Sequence, residues 1–449
     1  MKQKLTLLFL VIASILFAQE GEKKAYSFTL QQAIEQALKN NYKVINAERD
    51  IESAIKKRWE ITASGLPQIR AGLDYNNNFA FTLQGVSGNA FNPGGDPNEI
   101  STIAFGTKNS MNARASLSQL IFDGTYIVAL QASKTYLQFY KNSKLKTDND
   151  IREIVINYYG NVLLAEESIK ILEKNKASLE KNVFETKETY KNGLTEEENV
   201  EQLEITLASV NSSLNNVTRL IDISKNLLKI TLGLEINDQL QLTEKLDDLT
   251  LKNLDLAAAK EEFNVQDNIE YKIAENFKEQ RRLEYKSQVY TALPTLSANL
   301  NFGYNSFSNT FSFTEPQQAW NNYSNLGVSL NIPVFSSFGR SAKNQQTKIA
   351  FEQAQTQLTE AEQMLKLQYQ TTKSDYEFSI EQYSAVKSNL NLAERIEKKQ
   401  QIKFKEGIST SFDYTEAQRQ LYSAQQNYLQ SMIDLINKKA TLDKLTNKK

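Results

Sequence analysis

Cysteine and histidine are both missing from the 449 residues of this chain. Their absence removes disulfides, a thiol nucleophile, a Ser-His-Asp triad and the usual zinc ligand sets, so an enzyme is the least favoured class and no cofactor is expected. Tryptophan occurs only twice, methionine four times and proline six times. Charge of neither sign dominates: 52 lysines and arginines face 53 aspartates and glutamates, so nothing points to nucleic acid as a partner. Beyond the N-terminal region no apolar run reaches the roughly 18 residues of a membrane-crossing helix, which leaves strands as the means of any membrane contact.

The N-terminus reads MKQKLTLLFLVIASILFAQE. Lys2 and Lys4 precede an apolar run from Leu5 to Phe17, short for a spanning helix and typical of a secretory signal, so residues 1–18 are expected to be a signal peptide. No cysteine follows, which argues against a lipid-anchored N-terminus.

The rest of the chain says one thing twice. YKNGLTEEENVEQLEITLASV surrounds Gly193, and FKEGISTSFDYTEAQRQLYSA surrounds Gly407. Asn41 pairs with Asn268 and Pro67 with Pro294 at an offset of 227, Phe122 with Phe335 at 213 and Gly193 with Gly407 at 214. Such a direct duplication sets the architecture before any single element does. It divides the chain into a first repeat, 19–240, and a second, 241–449. Each repeat is expected to run helix, β-hairpin (68–122 and 295–335), long helix (124–192 and 341–406) and shorter helix (195–232 and 410–446).

Phe28 to Ser64 reads as one helix, with Thr29 as N-cap, Gln32 three residues on, and Gly65 and Pro67 as the stop. From Gln68 the period becomes two: Ile69, Ala71, Leu73, Tyr75, Phe79, Phe81 and Leu83 share a face, and Arg70, Gly72, Asp74 and Asn76 lie opposite. Gly85 to Lys108 reads as loop, after which Met111, Ala113, Ala115 and Leu117 resume the alternation. The second repeat alternates Leu296, Ala298, Leu300, Phe302 and Tyr304, then Leu326, Val328, Leu330, Ile332 and Val334, with small uncharged residues between. Four such strands suit a sheet that is lipid-facing on one side and wet on the other; an edge of a soluble β-sandwich is the alternative.

The long helices contain no proline, and at about 1.5 Å per residue each spans about 100 Å. In the first, Ile151, Val155, Tyr158, Val162, Ala165, Ile169, Leu172, Leu179 and Val183 form a heptad seam; in the second, Tyr369, Tyr376, Tyr383, Leu390 and Phe404 lie on one heptad row. Leu234 to Asp255 joins the halves and its short runs read as small strands or a short helix. Four strands cannot close a barrel, and an open sheet edge in lipid costs several kcal/mol per unsatisfied group, so the chain must assemble with copies of itself. Three copies give twelve strands and two give eight. An ordinary antiparallel coiled-coil bundle, as in a periplasmic scaffold or adaptor, is the alternative for the helices alone.

These residues resemble the TolC-type outer-membrane efflux and secretion channels, over nearly all of the mature chain. TLQQAIEQALKNNYKV is similar to the family's opening helix, SLSQLIFDG and SLNIPVFSSFG to its strand-to-helix junctions, and the two glycine-centred segments to its helix-turn-helix tips. The resemblance implies a membrane α+β fold: a homotrimer with a twelve-stranded outer-membrane β-barrel, four strands per chain, continued by a long α-helical coiled-coil barrel across the periplasm. It implies a passive exit duct, driven by an inner-membrane pump through a periplasmic adaptor, for small-molecule efflux or alternatively type I protein secretion. Gly193, Leu194 and Thr195, with Gly407, Ile408 and Ser409, correspond to adaptor-docking tips; both glycines also suit plain helix C-caps. Asp413 and Glu416, six and nine residues after the second glycine, correspond to acidic gate residues, with Asn199 and Gln202 as uncharged equivalents in the first repeat. The alternative for these acids is a solvated first helical turn. Phe404 and Ser409 stand where the family often has a tyrosine and an arginine, so a hydrogen-bonded latch of that kind is not expected here.

Overall fold

A computed structural model describes residues 24–90, 93–255 and 263–447; the expected signal peptide at 1–18 lies outside the described residues. In chain order the elements are β1 (Ala25–Phe28), α1 (Leu30–Asn40), α2 (Tyr42–Ser64), β2 (Gln68–Asn77), β3 (Leu83–Ser87), β4 (Ile100–Ala104), β5 (Asn109–Phe122), α3 (Gly124–Lys191), α4 (Glu197–Thr231), β6 (Gln239–Leu242), α5 (Leu246–Lys252), α6 (Ile269–Tyr290), β7 (Thr295–Ser308), β8 (Asn321–Asn331), α7 (Gly339–Lys405) and α8 (Ser411–Thr446). They form two compact units, one from residues up to 51, 140–275 and 357–449, the other from 52–139 and 276–356. Among the described residues no helix is long and apolar enough to cross a membrane.

The first unit is a helical bundle. Its core joins Ala33, Ile34 and Val44 to Ile151, Val155 and Tyr159 of α3, Leu228 of α4, Tyr376 of α7 and Met432, Ile433, Leu435 and Ile436 of α8. Tyr159 and not Tyr158 is the fully buried residue of that turn, because its hydroxyl reaches the Phe28 carbonyl at 3.0 Å and so ties α3 to β1. Gly160 lets α8 approach, since a Cβ there would sit 3.2 Å from Ile433. The join between halves folds as β6 and α5, and β6 pairs in parallel with β1, a strand that sequence reading assigned no element before Phe28.

Thr29 does cap α1, in a full capping box with Gln32. The expected single helix from Phe28 to Ser64 is broken at Asn41, whose backbone is extended (φ −65°, ψ 134°). The Asn41 side chain donates to the Thr231 carbonyl at 2.7 Å and accepts from the Lys43 N–H at 2.8 Å, so it starts α2 while holding the end of α4. Asn268 repeats this: it donates to Leu445 O at 2.8 Å and accepts from the Glu270 N–H at 2.8 Å. The duplication is therefore visible at the level of single hydrogen bonds.

The second unit holds a four-stranded antiparallel sheet, order β2-β5-β7-β8. The register aligns whole rows: Ile69, Leu117, Leu300 and Leu326 lie side by side on one face, and Arg70, Ser116, Asn301 and Asn325 on the other. On the polar face Arg114 pairs with Asp74 at 3.2 Å, Asn301 donates to Asn325 at 2.9 Å, and Asn112 bonds to Asn305 and to the Tyr323 hydroxyl. The apolar face is exposed along β2 and β8, the two edge strands. Two expectations fail here. The alternation up to Leu83 is not one strand, for β2 ends at Asn77; and the supposed loop 85–108 contains the β3–β4 hairpin, a separate two-stranded sheet.

Candidate functional site

Both tips of the helical hairpins lie in the first unit and are built alike. At the first, the Gly193 N–H donates to Tyr190 O at 2.8 Å and the Leu194 N–H to Thr189 O at 3.1 Å. At the second, Gly407 donates to Phe404 O at 3.1 Å and Ile408 to Lys403 O at 2.8 Å. This is a Schellman ending, and it puts the glycines at φ 70° and 69°, where a side chain is strained. No described residue lies within 4 Å of a Cβ built on either, so the constraint is the dihedral and not space. A Schellman motif normally folds the residue after the glycine back onto its helix. Here Leu194 and Ile408 stay 78% and 76% exposed.

The tips differ in how the next helix starts. Thr410 caps α8: its hydroxyl accepts from the Asp413 N–H at 3.1 Å, and the Asp413 carboxylate accepts from the Thr410 N–H at 3.3 Å and hydroxyl at 2.8 Å. Glu196, at the corresponding place before α4, makes no side-chain cap; Asn199 donates instead to the Thr195 hydroxyl at 2.8 Å. Asp413 thus occupies the capping role that its position in the first turn allowed. Glu416 is not a free carboxylate either. Arg419 holds it in two 2.8 Å bonds, and Gln420 adds a third at 3.0 Å. The Arg419 bonds, then those of Gln420, pull its carboxyl down to about 2. Asp413 and Glu416 each turn to their own partners. Ser409 reaches Gln400 at 3.2 Å, and Gln202, the first-repeat equivalent of Glu416, accepts from buried Ser411 at 2.8 Å and so links the two hairpins.

Phe404 stacks on Tyr414 at 5.3 Å between ring centres, in a cluster with Leu179, Val183 and Leu203. Tyr414 is completely buried. Its hydroxyl accepts from Asn182 at 2.7 Å and Gln418 at 2.8 Å, and lies 3.4 Å from both Gln401 and Glu397. Burial pushes this hydroxyl well above the usual tyrosine range and raises the Glu397 carboxyl. Three helices, α3, α7 and α8, therefore meet at one buried oxygen. Sequence reasoning passed over this hub and Arg419. The signals were present: a tyrosine in an otherwise apolar stripe, and an arginine one turn after Glu416. A groove of about 840 Å³ opens beside it, lined by Ile205, Gln202, Phe412, Glu416, Arg419 and Tyr422. Among the described residues no group of acidic side chains is arranged to hold a metal ion.

Residues 274–448 match the family model for outer membrane efflux protein. No curated protein matches the chain's sequence. Solved structures do match its fold. CusC, described in terms of transmembrane channel formation, superposes with TM-score 0.75 at 14% identity over 96% of this chain and 95% of that one. The outer membrane protein VceC of Vibrio cholerae gives 0.70 at 14% identity over 93% and 95%. The CmeC outer membrane channel of Campylobacter jejuni gives 0.71 at 17% identity over 96% and 90%. At 14% to 17% identity these likenesses are of fold, and they extend over both repeats. The residues that match the family model fall within the second repeat, so it is this part of the chain that is similar in sequence to outer membrane efflux proteins.

Proposed function

We propose that three copies of this chain close a twelve-stranded barrel in the outer membrane and form a passive exit duct for small molecules and drugs, continued by a helical coiled-coil barrel into the periplasm. The observation that carries the reading is the open sheet of the second unit: four strands, both edges unpaired among the described residues, one face apolar and exposed, the other lined by Asn, Ser and an Arg114–Asp74 pair. In lipid such edges must be paired, and neighbouring copies supply the pairing. The exposed Leu194 and Ile408 then serve as paired apolar contacts for a periplasmic adaptor, which couples the duct to an inner-membrane pump. The gate is assigned to the second tip, at Asp413, Glu416 and Phe404. Arg419 tempers it: with each Glu416 paired, the ring at that level is nearly neutral, and cation preference rests on Asp413. Purified in detergent and added to a planar bilayer, the protein is expected to give discrete conductance steps and to run as a heat-modifiable trimer. A monomer that stays in solution without detergent would overturn the reading.

A further inference from the structure

The junction between β8 and α7, Val334 to Gly339, combines strain, order and exposure. Ser337 (φ 46°) and Phe338 (φ 61°) are adjacent non-glycine residues in the left-handed region, a conformation costly to L-residues and worst for bulky ones. Burial does not offset it: Val334, Phe335 and Phe338 are 87%, 74% and 78% exposed. Neither is the turn loose. The Arg340 guanidinium donates twice to the Pro333 carbonyl, at 3.1 and 3.0 Å, and the Gly339 N–H donates to Ser336 O at 2.9 Å. The Phe335 and Phe338 rings meet edge to face at 6.0 Å. A rigid, strained turn holds two phenylalanines away from the protein.

Its place along the sheet says what they meet. The 11 residues of β8 extend about 34 Å, or about 26 Å of depth at a tilt of about 40°, close to the roughly 25 Å apolar band of an outer-membrane barrel. Trp320, just before the strand, packs on Phe313 in a cluster with Tyr75 and Phe311, an aromatic rim at one end. At the other end the exposed apolar row Leu326, Val328, Leu330 and Ile332 continues into Val334 and the turn. From Val334 to Lys343 the charged residues are Arg340 and Lys343, with no acid among them.

We propose that this turn anchors the channel in the periplasmic leaflet, Phe335 and Phe338 lying at the boundary between acyl chains and headgroups, Arg340 and Lys343 facing the phosphates. The inference rests on the reading of the sheet as part of a membrane barrel. Only two tryptophans need removal for a clean test, Trp59→Phe and Trp320→Phe. Into that background go Phe338→Trp, Phe335→Trp and, as a mid-sheet control, Leu326→Trp. The full chain is reconstituted in phosphatidylcholine vesicles brominated near the headgroup or near the chain end. Tryptophan at 338 and at 335 is expected to be quenched more by shallow than by deep bromines and shielded from acrylamide, and tryptophan at 326 to be quenched by deep ones. An unquenched Leu326→Trp overturns the barrel reading itself. A quenched Leu326→Trp, with positions 335 and 338 open to acrylamide or quenched by neither bromine, overturns the anchor alone, the second result placing the turn against a neighbouring subunit.

Discussion

Replacing Tyr414 by phenylalanine removes one oxygen and keeps the ring stacked on Phe404. That oxygen accepts from the amides of Asn182 and Gln418, both buried, and the Gln418 carbonyl oxygen already lacks a partner. Each buried donor left unmet costs about 1–3 kcal/mol, and with partial relaxation of the two side chains a total of about 2–3 kcal/mol is reasonable. At about 1.4 kcal/mol per tenfold, local opening of the tip should become about 30- to 150-fold more frequent. Hydrogen exchange of the detergent-solubilised protein, read by mass spectrometry on peptides covering 395–420, measures this directly. The expected result is faster exchange there and unchanged protection around Tyr159 and Ile433. Tip protection unchanged within a factor of three, or a uniform loss across the bundle, would refute the idea that this hydroxyl holds the three helices together.

Burial raises the Glu397 carboxyl, so its contribution to tip stability is present in acid, below the ordinary carboxylate value, and is lost as pH rises through the raised value. Tip exchange, corrected for intrinsic rates, should therefore speed up with pH across that window in the native chain and stay flat in Glu397→Gln. Asn41→Ala and Asn268→Ala should each cost about 1–2 kcal/mol, and by similar amounts, because each removes a helix start and a bond to a neighbouring helix end; the temperature at which trimers dissociate on a gel checks it, and a large inequality would break the equivalence of the repeats. At Gly407, alanine meets no clash but adds about 1 kcal/mol of left-handed strain, so trimers should form while in-cell crosslinking to an adaptor falls; failed assembly would make the glycine purely structural. Arg419→Gln should free the Glu416 carboxylates from their guanidinium partner, raise the Glu416 carboxyl part of the way toward its ordinary value, and increase cation selectivity in bilayers at neutral pH; unchanged selectivity would remove Glu416 from the conduction path.

The parts legible in the sequence were those governed by period and repetition. Strict alternation gave the faces of all four sheet strands, and the aligned row of Ile69, Leu117, Leu300 and Leu326 shows why, since each row must be uniformly apolar or polar to present two clean faces. The Thr29 capping box and the glycine turns carried local signals strong enough to read directly. What escaped depended on distant partners. β1 is four residues long and exists because β6, over 200 residues away, pairs with it. The break at Asn41 looks helical in isolation and becomes favourable only when Thr231 O is there to receive its amide. The β3–β4 hairpin carries no alternation strong enough to stand out from its glycine- and asparagine-rich surroundings. At the second tip the acids were visible, but their neighbours Thr410 and Arg419, which fix where the charge resides, were not weighed.

The claim on which everything else rests is that β2 of one copy pairs with β8 of the next. Within one chain these strands are separated by β5 and β7, three spacings or about 14 Å, well beyond the roughly 7 Å reach of a disulfide. The chain has no cysteine of its own, so introduced pairs report cleanly. Gly72→Cys on the polar face of β2, combined in turn with Asn325→Cys, Gly327→Cys and Ser329→Cys on β8, samples the possible registers. Oxidised in membranes, at least one pair is expected to give a covalent trimer that survives boiling and collapses to monomer on reduction. Monomer alone from every pair, in protein that is folded and membrane-inserted, would contradict the account.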